Sequence, residues 1–366
     1  MLAREAPHSR LEGMEHAPAE PSSAAARKRV SLAQSAPRWQ QAMREAVTDV
    51  DTLYDALELP AEGRAAARAA TALFGLRVPR GYLARMRRRD PHDPLLRQVL
   101  PVADEHAEVP GFDWDAVGDN ASAAGDGVLH KYHGRALLIT TGACAVHCRY
   151  CFRRHFDYAG QHAGGAHTDA ALARIDADPS IREVILSGGD PLSLSNPRLA
   201  ALGHGLDRID HVHRLRLHTR TAIVLPERID AGFIDWLAAR RQQVVIVVHA
   251  NHANELSDDV CRALAALRAT GATLLNQAVL LAGVNDSPDA LAALSEKLFA
   301  AGVMPYYLHL LDRVAGTAHF EVDERRADDI MQKLAALLPG YLVPRLARET
   351  PGAAAKSVRA TTAPAR

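Results

Sequence analysis

The chain has 366 residues, 48% of them hydrophobic, and its 43 Lys and Arg balance 43 Asp and Glu to a formal net charge of zero. That neutrality, with a pI of ≈ 7.3, gives nucleic acid no global electrostatic hold. The longest purely aliphatic run, Val244–Val248, is far too short to span a membrane, and the start lacks the apolar core of a secretory signal.

Residues 1–35 are rich in Ala, Pro, Ser, Glu and Arg without apolar periodicity, which predicts a disordered tail. Glu5, Glu12, Glu15 and Glu20 argue against an organelle transit peptide. From 36 to 118 apolar residues recur at helical spacing: Trp39, Met43 and Val47, then Leu53, Leu57 and Leu59, then Leu73, Leu76, Leu83 and Met86. Pro60 and Pro79 punctuate the pattern, so a helical N-terminal region is expected. Its Arg85, Arg87, Arg88 and Arg89 read as a solvated face, and Asp119–Gly127 as a linker.

Beyond the linker, β-rich runs alternate with helical ones. Strands are expected at Arg135–Thr140, Glu183–Ser187, Arg214–His218, Val244–His249, Thr273–Leu281 and Pro305–Leu310. Helices are expected near 169–177, 197–209, 230–240, 257–269, 288–301 and 324–338. Such repeats imply parallel strands with crossover helices. The expected fold class is therefore α/β: a partial (β/α)6 TIM-like barrel over 119–345, with 346–366 as a C-terminal segment. In such barrels the active site lies where strands run into the following loops.

Chemically capable residues fall at those strand ends. The first strand runs into Cys144, Cys148 and Cys151, spaced C-x-x-x-C-x-x-C, which are three of the four cysteines. Thiolates are the usual ligands of iron–sulfur clusters, and three of them on a four-iron cube leave one iron open for chemistry. Zinc would want a fourth Cys or His, and His147 sits inside the loop, ill placed to supply it. A cluster held by thiolates suits a reduced, cytoplasmic setting. The second strand ends in Ser187, Gly188, Gly189 and Asp190, the third in His218 and Arg220, and the fourth in His249, Asn251 and His252. The fifth carries Asn276 and Gln277, and the sixth reaches His309 and Asp312. Gly188-Gly189 is either a plain turn or a place where backbone approaches a ligand closely.

The cysteine spacing resembles that of the radical S-adenosylmethionine (SAM) enzymes, in which SAM chelates the open iron of a [4Fe-4S] cluster. Ser187, Gly188 and Gly189 are similar to that family's site for the SAM amino group, and His249 and Gln277 match positions lining its SAM pocket. Longer stretches resemble one branch, the lysine 2,3-aminomutases: Cys148 to Arg154, Leu186 to Asp190, Leu225 to Ile229 with Arg220, Asn251 to Glu255, Gly283 to Asp286, and Pro305 to Tyr307. The resemblance spans about residues 130 to 356 and implies pyridoxal 5′-phosphate (PLP) as a further cofactor. Its resting partner would be a lysine amine. Lys356, after Gly352 and an alanine run where the family has glycines, matches that lysine, whereas Lys297 and Lys333 lie in amphipathic helices.

Further expectations follow from the resemblance. Arg135 and Tyr132 would contact the PLP phosphate and ring, and Arg153 the substrate carboxylate. Asp312 and Glu349 would hold the distal ammonium of L-lysine, with Glu349 standing where the family has Asp. The implied reaction converts (S)-α-lysine to (R)-β-lysine with an electron from a reducing partner such as flavodoxin or ferredoxin. A short branch of the family links this product, through a separate lysine ligase, to elongation factor P. Other readings stay open from the residues alone: an aminomutase for another amino acid, a radical enzyme without PLP, or a non-enzymatic iron–sulfur protein. Lys356 can also be read as a tail residue, and Asp312 as a surface partner of Arg313.

Overall fold

The computed structural model describes residues 37–119, 127–158, 166–350, 352–353 and 355–359. The expected tail at 1–35 lies outside the described residues, as does 120–126 of the expected linker. Pro37–Arg366 forms one compact unit.

Nine strands form one sheet in sequence order. β1 (Val128–Tyr132) turns at Gly134, whose φ is 74°, into the antiparallel β2 (Arg135–Thr141). From there the sheet is parallel: β3 (Glu183–Gly188), β4 (Arg214–Thr219), β5 (Gln243–Val248), β6 (Thr273–Val279), β7 (Met304–His309) and β8 (Arg345–Arg348). A two-residue β9 (Ser357–Val358) folds back antiparallel on β8. The crossover helices are Ala166–Asp176, Asn196–Asp207, Ala231–Ala238, Asp258–Ala269, Pro288–Ala300 and Glu324–Leu337. β1 and β9 are not paired with each other, so the sheet is an open barrel wall. The six expected strands and helices are present, and β1, β8 and β9 extend the sheet at both edges.

Local chemistry fixes where the helices begin. Asp230, Ser287 and Asp323 each accept a hydrogen bond from a backbone N–H of the first turn that would otherwise be orphaned. Burial does most of the rest. Leu186, Leu215, Leu217, Ile246 and Leu274 of the sheet pack against Leu199, Phe233, Leu264, Leu294 and Leu334 of the helices. Each such side chain contributes about 1.5–3 kcal/mol.

The two-residue period of the strands splits this core from a second surface. In β4, Leu215, Leu217 and Thr219 are buried, while Arg216 and His218 between them line the cavity inside the wall. The same alternation aims Arg135 and Leu137 of β2, Ile185 and Ser187 of β3, and Gln277 and Val279 of β6 at that cavity.

The N-terminal region, with helices Arg38–Arg44, Val50–Leu57, Arg64–Ala70 and Arg80–Leu83, has its own core of Trp39, Leu53, Leu57, Tyr82 and Leu96. Ala145 and Val146 of the cysteine loop belong to that core, and Cys148 packs against it. Two expectations need correction here. Leu73 does not join the core and is 44% exposed. Arg85 is not part of a solvated face: it donates to the carbonyls of Ile223 (2.7 Å) and Glu255 (3.0 Å), because those carbonyls would otherwise be buried unmet.

Candidate active site

The strand ends surround a cavity of about 480 Å³. Cys144, Cys148 and Cys151 enter it from the loop after β2, Ser187, Gly188 and Gly189 from the end of β3, and His249 and Gln277 from β5 and β6. Tyr132, Arg135, Arg153, Asp312, Glu349 and Lys356 complete the lining. Residues as far apart in sequence as Tyr132 and Lys356 thus face one space.

The cysteine loop is shaped by contacts on both sides. On the inner side, Gly189 N donates to Thr141 O (2.6 Å) and Asp190 N to Ala143 O (2.9 Å). A Cβ on Gly189 would run into the Ala143 carbonyl, and one on Gly188, at φ 120°, would sit 2.6 Å from Thr141 O. The glycine pair is therefore required by the backbone of the loop itself. The Asp190 carboxylate then ties this end of β3 to β4, accepting from Thr219 Oγ1 (2.8 Å) and the backbone N–H of Arg220 (2.8 Å) and Thr221 (2.9 Å).

On the outer side the N-terminal region grips the loop. His147 N donates to Arg77 O (3.0 Å) and Arg149 N to Gln98 O (2.9 Å). His147 Nδ1 lies 2.9 Å from Gly75 O. Glu105, buried, forms ion pairs with Arg149 and Arg154 together, and with Arg154 the distance is 2.7 Å.

Burial pushes all three thiols up, Cys151 to about 11, with neighbouring cysteines adding to the rise at Cys144 and Cys151. A bound cation is what keeps such thiols ionised at neutral pH. Among the described residues, no three His, Cys, Asp or Glu converge on a single metal ion. A cube that takes each cysteine on a different iron does not need them to, so the loop fits a cluster better than zinc.

The opposite wall is charged. Lys356 Nζ lies 3.1 Å from Glu349 Oε2 and 5.7 Å from the centre of the Tyr307 ring. Glu349 Oε1 accepts from the Tyr132 hydroxyl (2.8 Å), and Arg135 stacks on the Tyr132 ring at 4.6 Å. Burial pushes Glu349 up, but the Lys356 ammonium and the Tyr132 hydroxyl outweigh it and hold this carboxyl below its usual range.

Asp312 differs. Its carboxylate has no hydrogen-bond or ion-pair partner among the described residues. Although one side stays open to the cavity, the surrounding protein pushes it up to about 7 against the pull of Lys356. The alternative of a surface pair with Arg313 is overturned, since Arg313 turns outward to Glu321 at 2.6 Å.

Arg153 is already engaged. Its Nε donates to Asp119 Oδ2 (2.6 Å) and one terminal nitrogen to Ser187 Oγ (3.1 Å). Asp119 also pairs with Lys131. The expectation that Asp119 begins a linker is therefore corrected: it is buried at 3% exposure because two cations neutralise it there.

Sequence reasoning also passed over Arg216 and Tyr158, although the register two residues before His218 pointed Arg216 inward. Among the described residues, Arg135 Nε, Arg216 Nε, His218 Nε2 and His309 Nε2 are buried without a hydrogen-bond partner. Burial holds both histidines well below the ordinary range, and His249, which meets Gln277 Nε2 at 2.9 Å, is pushed down to about 3, so all three rings are neutral. A wall with donors unmet and a carboxylate unpaired is suited to a ligand carrying both charges.

Comparison with known proteins agrees with this chemistry. Residues 125–212 match the family described as a 4Fe-4S single cluster domain. Over 320 residues the chain is 48% identical to the L-lysine 2,3-aminomutase of Escherichia coli (strain K12), covering 87% of this chain and 93% of that protein. It is 43% identical over 322 residues to the enzyme of the same name from Haemophilus influenzae, covering 88% and 95% of the two chains. With that of Clostridium subterminale it shares 32% over 323 residues, or 87% of this chain and 76% of the relative. A radical SAM methyltransferase from Sphaerobacter thermophilus is a looser likeness, with TM-score 0.40 and 19% identity over 60% of this chain and 68% of that one. With its cysteine loop at the mouth of an open α/β barrel, the chain belongs to the L-lysine 2,3-aminomutase family, isomerases built on a [4Fe-4S] cluster and SAM.

Proposed function

We propose that the chain isomerises (S)-α-lysine to (R)-β-lysine with PLP as a further cofactor, and that the product serves the modification of elongation factor P. The observation carrying this reading is the unpaired Asp312 carboxylate, facing the cavity that also holds the cysteine loop and the Lys356–Glu349 pair. Two acids at one end of an amino-acid site favour a substrate with a distal cation. A site for glutamate would instead want a cation or amide there. The names of the relatives support lysine.

When bound, the reduced cluster with SAM supplies a 5′-deoxyadenosyl radical, and PLP supplies a ring that delocalises an unpaired electron. The chain's own residues do the rest. Lys356 would be the residue that holds PLP, its Nζ supplying the amine for the cofactor's carbonyl. Arg135, stacked on Tyr132, and Arg216 offer guanidinium N–H groups to the phosphate. Asp312 and Glu349 orient the distal ammonium, and Arg153, braced by Asp119, presents its remaining N–H groups to the substrate carboxylate. Cys144, Cys148 and Cys151 would hold the cluster, and Ser187, Gly188, Gly189, His249 and Gln277, which line the same cavity, would bind SAM.

The test is anaerobic incubation of protein reconstituted with iron, sulfide and PLP, given SAM, dithionite and lysine, followed by chromatography for β-lysine. Product is expected. A fully loaded protein that cleaves SAM without making it would overturn the substrate assignment. Lys356→Ala should abolish the Schiff-base absorbance band that appears on adding PLP. Mass spectrometry of elongation factor P from cells lacking the chain should show the β-lysyl adduct missing.

A further inference from the structure

Lys356 stands at the start of a thin sheet edge, and the reaction above does not say what holds it there. The strand that follows it, β9, is only Ser357 and Val358, paired with Arg348 and Ala347 of β8. Both residues are exposed, Val358 at 49%, so little apolar burial fastens them. So short a strand at an edge is marginal by itself.

The two-residue period of a strand sorts the side chains of this segment. Lys356 and Val358 line the cavity, so Ser357 and Arg359 fall on the opposite face. There Arg359 meets the helix Glu324–Leu337. Its Nη2 donates to Asp328 Oδ2 (2.7 Å) and its Nη1 to Glu324 Oε2, while its backbone N–H donates to Leu346 O (2.9 Å). Glu324 and Asp328 are four residues apart on one helix face, where like charges repel unless a cation lies between them. Glu324 Oε1 also accepts from Arg348 Nη1 (2.5 Å). The hydrogen bond from Arg359 and the charge of Arg348 hold the Glu324 carboxyl below its usual range. Arg348 directly precedes Glu349, and Arg359 follows Lys356 by three residues. One helix face therefore pins both of the stretches that bring Lys356 Nζ within 3.1 Å of Glu349.

We propose that Arg359 is a positioning residue: bridging Glu324 and Asp328, it keeps β9 closed on β8 and so holds Lys356 Nζ in the cavity. The inference rests on the reading of Lys356 as the lysine that holds PLP. Edge segments of this kind open locally at little cost in free energy, without the rest of the chain unfolding. The Arg359, Glu324 and Asp328 side chains are 36–43% exposed, so each pair shifts that local equilibrium only modestly. The shift nevertheless falls on the segment that carries Lys356, and only its closed form presents the amine.

The test is hydrogen–deuterium exchange of the full chain and its Arg359→Ala variant without PLP, read by mass spectrometry on peptides covering residues 350–359. Exchange at the amides of Ser357, Val358 and Arg359 is expected to quicken about fivefold, the size of two exposed pairs. The thermal midpoint and iron content of the whole chain should not move. The apparent Kd for PLP, followed by the Schiff-base band, is expected to rise about two- to fivefold, because a smaller fraction of the variant is competent to bind. In a Glu324→Gln, Asp328→Asn background, Arg359→Ala should change neither quantity further. Unaltered exchange or unaltered PLP affinity in the single variant overturns the proposal, as does a full effect in the background without the two acids. A lower thermal midpoint also overturns it, since Arg359 would then serve the fold at large. A missing Schiff-base band in the unsubstituted chain would instead overturn the reading of Lys356, and exchange measured without PLP still decides whether Arg359 holds the segment.

Discussion

The two sides of the cysteine loop are built on opposite principles. Behind it, charges are closed among themselves: Glu105 with Arg149 and Arg154, Arg220 with Glu255. In front of it, among the described residues, Asp312 stands unpaired and Arg135 Nε, Arg216 Nε, His218 Nε2 and His309 Nε2 have no hydrogen-bond partner. A polar group sealed away from water must be matched. Behind the loop every named charge has an ion-pair partner, although Arg154 Nε and Arg220 Nε are left without a hydrogen bond, whereas in front of it a carboxylate faces the cavity with no cation paired to it. The same residue types therefore carry different meanings a few ångströms apart.

The contrast can be broken most severely from behind. Glu105→Ala leaves two buried guanidinium groups without their carboxylate, and the expected loss of stability is about 3–5 kcal/mol. Chemical denaturation should show it, with iron retention falling in parallel because the loop loses its outer clamp. An unchanged denaturation midpoint would mean the two sides are not different in kind.

In front, the corresponding change should act on function and not on the fold. Asp312→Asn should weaken transition-state binding by about 2–5 kcal/mol, read as kcat/KM for lysine, since it removes one member of a buried charge pair. Stability at neutral pH should hold or rise, because the substitution relieves a carboxylate that has no partner. Joint loss of activity and stability would reassign Asp312 to the closed side. Gly189→Ala probes the join between the two. Its Cβ meets the Ala143 carbonyl, so about 1–3 kcal/mol of strain and a lower iron content are expected.

The pH dependence is a milder test. Asp312 is raised from 3.8 to about 7, so within that window the folded chain keeps a proton that the unfolded chain has released. This contribution to stability is fully present below 3.8. It falls by about 1.4 kcal/mol per unit as pH rises towards 7, and levels off above it. Substrate binding runs the other way: the carboxylate has to ionise to hold an ammonium, so KM for lysine should improve as pH rises through about 7. Asp312→Asn should flatten both trends. Smallest of all, Arg88→Ala removes a guanidinium 71% exposed beside Glu58, and the thermal midpoint should not move.

Much of this was legible in the chain. β3 and β5 carry continuous apolar runs and β4 alternates Leu with Arg and His, each running into a polar strand end, so β2 to β7 and their helices could be placed closely. β8 and β9 were not, since Arg345–Arg348 and Ser357–Val358 are too short to carry a period. β1 follows a stretch of Gly, Ala and Ser that reads as a connector. The cysteines, the glycine pair and Asp312 could be named from their positions after strands, and Glu349 only through the family resemblance. Asp119 could not, because its meaning comes from Arg153, a partner 34 residues away. The same holds for Gln98 and Glu255, which lie 157 positions apart and meet only in the folded chain.

The bond from Tyr132 on β1 to Glu349 beyond β8 joins the first and last staves of an unclosed wall. Lys356 sits on the same latch. The hydroxyl–carboxylate bond that crosses there can part without pulling apart any backbone ladder. A ligand that draws on the Glu349 carboxylate therefore competes with the bond that ties the two edges together.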